Sequence, residues 1–90
     1  MEFEWDPKKA AANLRNHGVS FEDAAAVFGD PLAGTIPDPT HSTEEPRFVT
    51  IGMTPAQNIV VVVHTDRGDR IRIISARPVT RAEKKKHEEG

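Results

Sequence analysis

The chain has 90 residues, no cysteine, one tryptophan and a formal charge of −2 at pH 7. Such a length gives one domain, residues 1–90, with a single core and no deep enclosed cofactor cavity, and the lack of thiols excludes a disulfide framework and thiolate zinc sites. No stretch approaches a membrane span, and the acidic start MEFEWD is unlike a signal peptide, so a soluble, cytoplasmic protein is expected.

Phe3 to Trp5 alternates around Glu4 and suits a short edge strand. Asp6 followed by Pro7 is a helix start, and Gly18 as the left-handed C′ residue would end that helix in a Schellman motif, with Leu14 and Val19 as its apolar pair. A second helix follows from Ser20, with Asp23 at the capping-box position and an apolar stripe of Phe21, Ala24, Ala25, Val27 and Phe28, ending near Gly29 to Pro31. Residues 32–46 are irregular, broken by Pro37, Pro39 and Pro46, with room for a short strand around Leu32 to Ile36. Arg47 to Gly52 reads as a strand and Thr54 to Asn58 as a turn.

The run NIVVVVHTDRGDRIRIISAR from Asn58 to Arg77 reads as a hairpin. A tight two-residue loop would pair Thr65 with Arg70 and set arginines among the valines. A three-residue loop of Asp66, Arg67 and Gly68 pairs Thr65 with Asp69, placing Ile59, Val61, Val63, Ile71 and Ile73 on one face and Val60, Val62, His64, Arg70 and Arg72 on the other. The second register is preferred because it buries no charge. After Pro78, Thr80 and Glu83 form a capping box for a last helix ending at Gly90, whose only apolar members are Val79 and Ala82. That helix is expected to lie loosely on the domain or to need a partner. The fold class is α+β: a small, largely antiparallel sheet with two N-terminal helices and a C-terminal helix.

Charge is distributed unevenly. Residues 1–46 hold Lys8, Lys9 and Arg15 against nine acids, whereas residues 47–90 hold nine lysines and arginines against five acids. A localised basic surface suits a polyanion, although charge runs are usually solvated faces. In the preferred register His64 shares its face with Arg70 and Arg72, with Arg77 just beyond, and a histidine beside guanidinium groups suits acid–base work on a substrate whose negative charge the arginines hold. The plainer alternative is a satisfied histidine beside solubilising arginines. Glu45 next to Arg47 is a carboxylate that can hold a guanidinium or take a proton. Lys9, Asn13 and His17 line one helical stripe, ordinarily an exposed polar face, which would make His17 a second proton-transfer candidate if turned toward the basic sheet face. Trp5 and Phe21 read as core. Asp38, His41, Glu44 and Glu45 are the nearest approach to a metal cluster, but their proline-rich loop imposes no ligand geometry, and neither a metal nor another cofactor is expected.

Read together, FEWDPKKAAANLRNHGVSFEDAAAVFGDP, the E-x-R of Glu45 to Arg47, VVVHTDRGDRIRIISAR and the later T-x-x-E resemble the BrnT family of bacterial toxins over Phe3 to about Gly90. The resemblance implies a RelE-like toxin fold, metal-independent endoribonuclease activity against mRNA, and a BrnA-like ribbon-helix-helix antitoxin. Two toxin and two antitoxin chains would assemble, contacting operator DNA only through the antitoxin. Carried over by motif, the catalytic candidates are His17, Glu45, Arg47, His64, Arg72 and Arg77; Lys9, Arg70, Arg81, Lys84 and Lys85 are expected to meet RNA. Two departures stand out: Asn16 replaces a lysine common before the His-Gly pair, and His87 stands where family members often carry a tyrosine. The main alternative is a non-enzymatic poison of the ParE type acting on a protein target; a second is a weakened toxin retained as co-repressor.

Overall fold

The computed structural model describes residues 1–38 and 45–89. Asp6 caps helix α1 (Pro7–His17) by accepting the Lys8 N–H at 2.8 Å, and Pro7 occupies the first turn, where its missing N–H costs nothing. Gly18 ends the helix at φ 71°, donating its N–H to the Leu14 carbonyl at 2.9 Å. This single bond is the αL ending rather than the expected Schellman motif, and Leu14 stays 53% exposed while Val19 enters the core. Ser20 caps helix α2 (Phe21–Ala26) by accepting the Asp23 N–H at 3.0 Å, and a 3-10 turn (Val27–Gly29) finishes the element. The expected stripe is realised: Phe21, Ala24 and Val27 are buried, with Ala25 and Phe28 packed against them.

Among the described residues five strands, β1 (Glu2–Glu4), β2 (Gly34–Pro37), β3 (Arg47–Met53), β4 (Ile59–Arg67) and β5 (Arg70–Pro78), form one sheet in the order β1-β5-β4-β3-β2. β1 runs parallel to β5 while the other pairings are antiparallel, so the sheet is mixed rather than largely antiparallel as expected. The edge strand read at Phe3 to Trp5 is present, shifted by one residue. Phe3 anchors it to Phe28 at a ring separation of 5.2 Å, and Trp5 meets Phe21 edge-on at 5.9 Å.

The hairpin corrects the sequence reading in two places. Its loop is neither of the two considered: β4 and β5 run on to Arg67 and Arg70, leaving Gly68 and Asp69 as a two-residue turn in which Gly68 takes φ 63°, a left-handed conformation that glycine adopts at little cost. Farther in, the register slips. His64 faces Ile73 whereas Val63 faces Ser75, which makes Ile74 an extra residue on β5. The two-residue turn sets odd-numbered Ile71 and Ile73 on the face of even-numbered Val60, Val62 and His64, and the bulge then shifts the period by one, so that Ala76 stays on that face while Ser75 and Arg77 join Arg72 on the other.

That face receives α1 and α2. Val60, Val62, Ile73 and Ala76 form the core with Val19, Phe21, Ala24 and Val27. Buried Asn13 locks α1 to the sheet, donating to the carbonyls of Val19 at 2.9 Å and Ala76 at 2.8 Å and accepting the Ala76 N–H at 3.0 Å. Helix α3 (Arg81–Glu89) has the expected capping box, with Thr80 N–H on Glu83 at 2.9 Å and Glu83 N–H on Thr80 Oγ1 at 3.1 Å. None of its residues is buried. It lies over the opposite face, beside Val49 and Ile51. Among the described residues no helix is long and apolar enough to cross a membrane.

Candidate functional site

The face opposite α1 and α2 collects the arginines. Strand register sets Arg47 opposite Thr65, Thr65 opposite Arg72 and Arg72 opposite Glu4, one row running across four strands. Toward α3 follow the rows of Val49, Val63 and Ser75 and of Ile51, Val61 and Arg77. Thr65 to Val61 is four residues of strand, so the two arginine rows stand roughly 13 Å apart over an apolar floor. Buried Thr65 donates its hydroxyl to the Pro46 carbonyl, which fixes the chain just before Arg47.

The carboxylates on this face treat its arginines differently. Glu4 accepts one hydrogen bond from Arg72 Nη1 at 2.9 Å. Glu83 engages Arg77 with both oxygens, at 2.7 Å to Nη1 and 2.9 Å to Nη2. The bond from Arg77, helped by the Thr80 N–H, lowers the Glu83 carboxyl to about 2, and Glu83 in turn pushes the Arg77 guanidinium further up. Arg70 lies 3.3 Å from Glu2, and Arg67 lies 3.4 Å from Glu45 at the hairpin end. Beside Arg77, a groove of about 530 Å³ opens between Ile36, Val49 and Ile51 on one side and Glu83, Lys86 and His87 on the other.

His64 is not on this face. The expectation that it shares a face with Arg70 and Arg72 is overturned by the two-residue turn, which sets Ile73 opposite His64 and Arg72 opposite Thr65: His64 is 3% exposed within the helix-covered layer, edge-on to Phe28 at 4.8 Å and stacked on Phe48 at 5.9 Å. Its Nε2 lies 2.7 Å from Thr50 Oγ1, and Thr50 Oγ1 lies 2.7 Å from Thr35 Oγ1. Nδ1 has no partner among the described residues. We assign the Nε2–H tautomer, which leaves a bare lone pair at Nδ1 instead of an orphaned N–H. Burial lowers the His64 pKa, opposed by the weaker pull of Asp66, so the ring is neutral near pH 7.

The other expected site residues scatter. His17, exposed at the end of α1, lines a separate cavity of about 550 Å³ with Asn58, Pro78, Lys84 and Glu88. Lys9 is exposed on α1, in the layer across the sheet from the arginine rows. Arg81, Lys84 and Lys85 are exposed on α3. Of the suggested metal cluster, His41 and Glu44 lie outside the described residues. Sequence reasoning missed Glu4, Thr50 and Thr65 as partners of the functional side chains; the alternation of Phe3, Glu4 and Trp5 contained the signal for the first.

The family described as ribonuclease toxin, BrnT, of type II toxin-antitoxin system matches residues 5–83. No curated protein matches significantly. Among solved structures, the 1.1 Å crystal structure of the Brucella abortus ribonuclease toxin BrnT shares 24% identity and superposes with a TM-score of 0.71, covering 90% of this chain and 99% of the other. At that identity the likeness establishes the fold, and the activity rests on the family match. This chain belongs to the BrnT family of ribonuclease toxins of type II toxin-antitoxin systems.

Proposed function

We propose that the chain is a metal-independent endoribonuclease that cleaves mRNA at the arginine-bearing face of its sheet. The observation that carries this reading is the gathering of Arg47, Arg72 and Arg77 on one face over an apolar floor, opposite the layer that builds the core. In the reaction the 2′-oxygen attacks the adjacent phosphorus, its proton goes to a base, and the 5′-oxygen departs with a proton from an acid, leaving a 2′,3′-cyclic phosphate. The extra negative charge that develops on phosphorus-bound oxygen is what guanidinium groups stabilise. Arg72 and Arg47, two strands apart in one row, grip the scissile phosphate. Glu45, two residues before Arg47, takes the 2′-proton. Arg77 and the α3 cations Arg81, Lys84 and Lys85 hold neighbouring phosphates.

His64, buried on the far side, contributes by holding β4 against β3 through Thr50, without touching RNA. The ribbon-helix-helix antitoxin, two copies with two toxins, covers the same face and α3. Mobility of α3 alone and its ordering or displacement by the antitoxin fit a helix with strong capping and no buried residue. Cleavage of a short RNA carrying a single 2′-O-methyl group at the scissile nucleotide tests the chemistry. Cleavage at that site is expected to stop, and the unmodified RNA is expected to yield 2′,3′-cyclic phosphate ends; cutting of the blocked RNA would rule the mechanism out.

A further inference from the structure

We infer that Glu4 is a positioning residue for the ribonuclease reaction, acting through Arg72; the inference rests on the reading above, in which Arg72 grips the scissile phosphate. β1 has three residues, and its parallel register sets Glu2 opposite Arg70 and Glu4 opposite Arg72. On either side of Glu4 an aromatic ring is anchored, Phe3 on Phe28 and Trp5 on Phe21, so the Glu4 backbone is pinned from both directions. The carboxylate is thereby held at the arginine row, where it reaches Arg72 Nη1 at 2.9 Å. Both side chains are about three-quarters covered, at 26% exposure for Glu4 and 28% for Arg72, which sets this contact apart from the looser pairs of Arg70 and Arg67.

The mode of pairing matters. A guanidinium is a planar fork with donors on several edges. Glu83 occupies both terminal nitrogens of Arg77, whereas Glu4 takes a single hydrogen of Arg72 and leaves its other donors for a substrate. Without Glu4, Arg72 would have Arg70 two residues away on the same strand face and Arg47 in its own row, and its long side chain would swing toward solvent. Glu4 therefore has two opposite effects on the reaction. It fixes the fork in the orientation that meets the transition state, and it subtracts one positive charge from the surface that attracts RNA.

These effects separate in kinetics. Glu4→Ala is expected to lower kcat by about tenfold or more without raising KM for RNA, since attraction improves while orientation is lost. Glu4→Gln, which keeps an oxygen for Nη1, is expected to recover most of kcat. In the double variant with Arg72→Ala, removing Glu4 is expected to cause no further loss, because its effect runs through Arg72. Thermal unfolding of each variant identifies loss of fold, and the isosteric Glu4→Gln keeps the test informative should Glu4→Ala unfold: a Gln variant with raised KM and unchanged kcat contradicts the proposal. So does a loss in the double variant equal to the sum of the two single losses, or a rise in kcat. Normal cleavage by Arg72→Ala alone would instead remove Arg72 from the site and with it the reading on which the inference rests.

Discussion

Arg77 and Glu83 form a two-pronged ion pair, 2.7 and 2.9 Å long, that fastens helix α3 to strand β5. Because α3 buries none of its own residues, this pair and the capping box at Thr80 hold its first turn in place. The Glu83 carboxyl is depressed from 4.5 to about 2, so its contribution is complete above about pH 4.5 and fades as pH falls toward 2. Hydrogen exchange at the amides of residues 81–89 is expected to accelerate over that interval relative to the sheet. Glu83→Gln is expected to exchange quickly already at pH 7; equal protection in both proteins would show that α3 is held by something else.

A second expectation concerns the buried histidine. Burial lowers the His64 pKa below its ordinary 6.5, so the unfolded chain binds more protons below that pH, and stability is full above about pH 6.5 and declines as pH falls. Thermal unfolding between pH 7.5 and 5 should show this decline, and His64→Gln should flatten it. Thr50→Val removes the partner of Nε2 and is expected to cost about 1–3 kcal/mol, the penalty of a buried polar atom left unpaired. A neutral effect of Thr50→Val would contradict the assigned hydrogen bond.

Asn13 provides a third test. Asn13 is 6% exposed and its side chain satisfies two carbonyls and one N–H, tying α1 to Val19 just beyond its end and to Ala76 on β5. Asn13→Ala is expected to destabilise the protein by about 3 kcal/mol or more, since several buried backbone groups lose their partners together. Denaturant unfolding measures it directly, and a change below about 1 kcal/mol would show that water replaces the amide.

Much of this architecture was legible in local signals. Asp6, Pro7 and Gly18 bound α1, Ser20 starts α2, and Thr80 with Glu83 starts α3, because each cap is decided within a few residues. The face on which His64 lies was not legible. It depends on where the turn falls: Gly68 and Asp69 form it in place of the expected Asp66, Arg67 and Gly68, and that one-residue difference in loop length, decided by how two strands pair rather than by either strand's own pattern, reverses which β5 residues share the face of His64. Arg47, Arg72 and Arg77 were named from the sequence and do share a face. Glu4 went unnoticed because its role follows from a parallel pairing with β5, separated from it by most of the chain. Asn13 was read as part of an exposed stripe, since no helical periodicity reveals that a polar residue meets the orphan backbone groups of a distant strand.

Electrostatics yields a fourth expectation. If RNA phosphates lie along the arginine rows, log affinity should fall linearly with log salt, by about 0.7 for each phosphate neutralised on a single strand. Arg72→Ala should reduce that slope by roughly one contact's worth and weaken binding across different RNA sequences alike. Filter binding over a range of salt concentrations measures both, and a salt-independent affinity would argue against RNA on this face.

The most direct test of the account is cleavage of RNA in excess EDTA by the wild-type protein and by Arg72→Ala. The account predicts that the wild type cuts at an undiminished rate, that Arg72→Ala cuts about 10²-fold or more slowly, and that the two unfold at the same temperature. Arg72→Lys should restore only part of the loss, since an ammonium keeps the charge without the planar fork. Abolition of wild-type cleavage by EDTA, or undiminished cleavage by a folded Arg72→Ala, would contradict it.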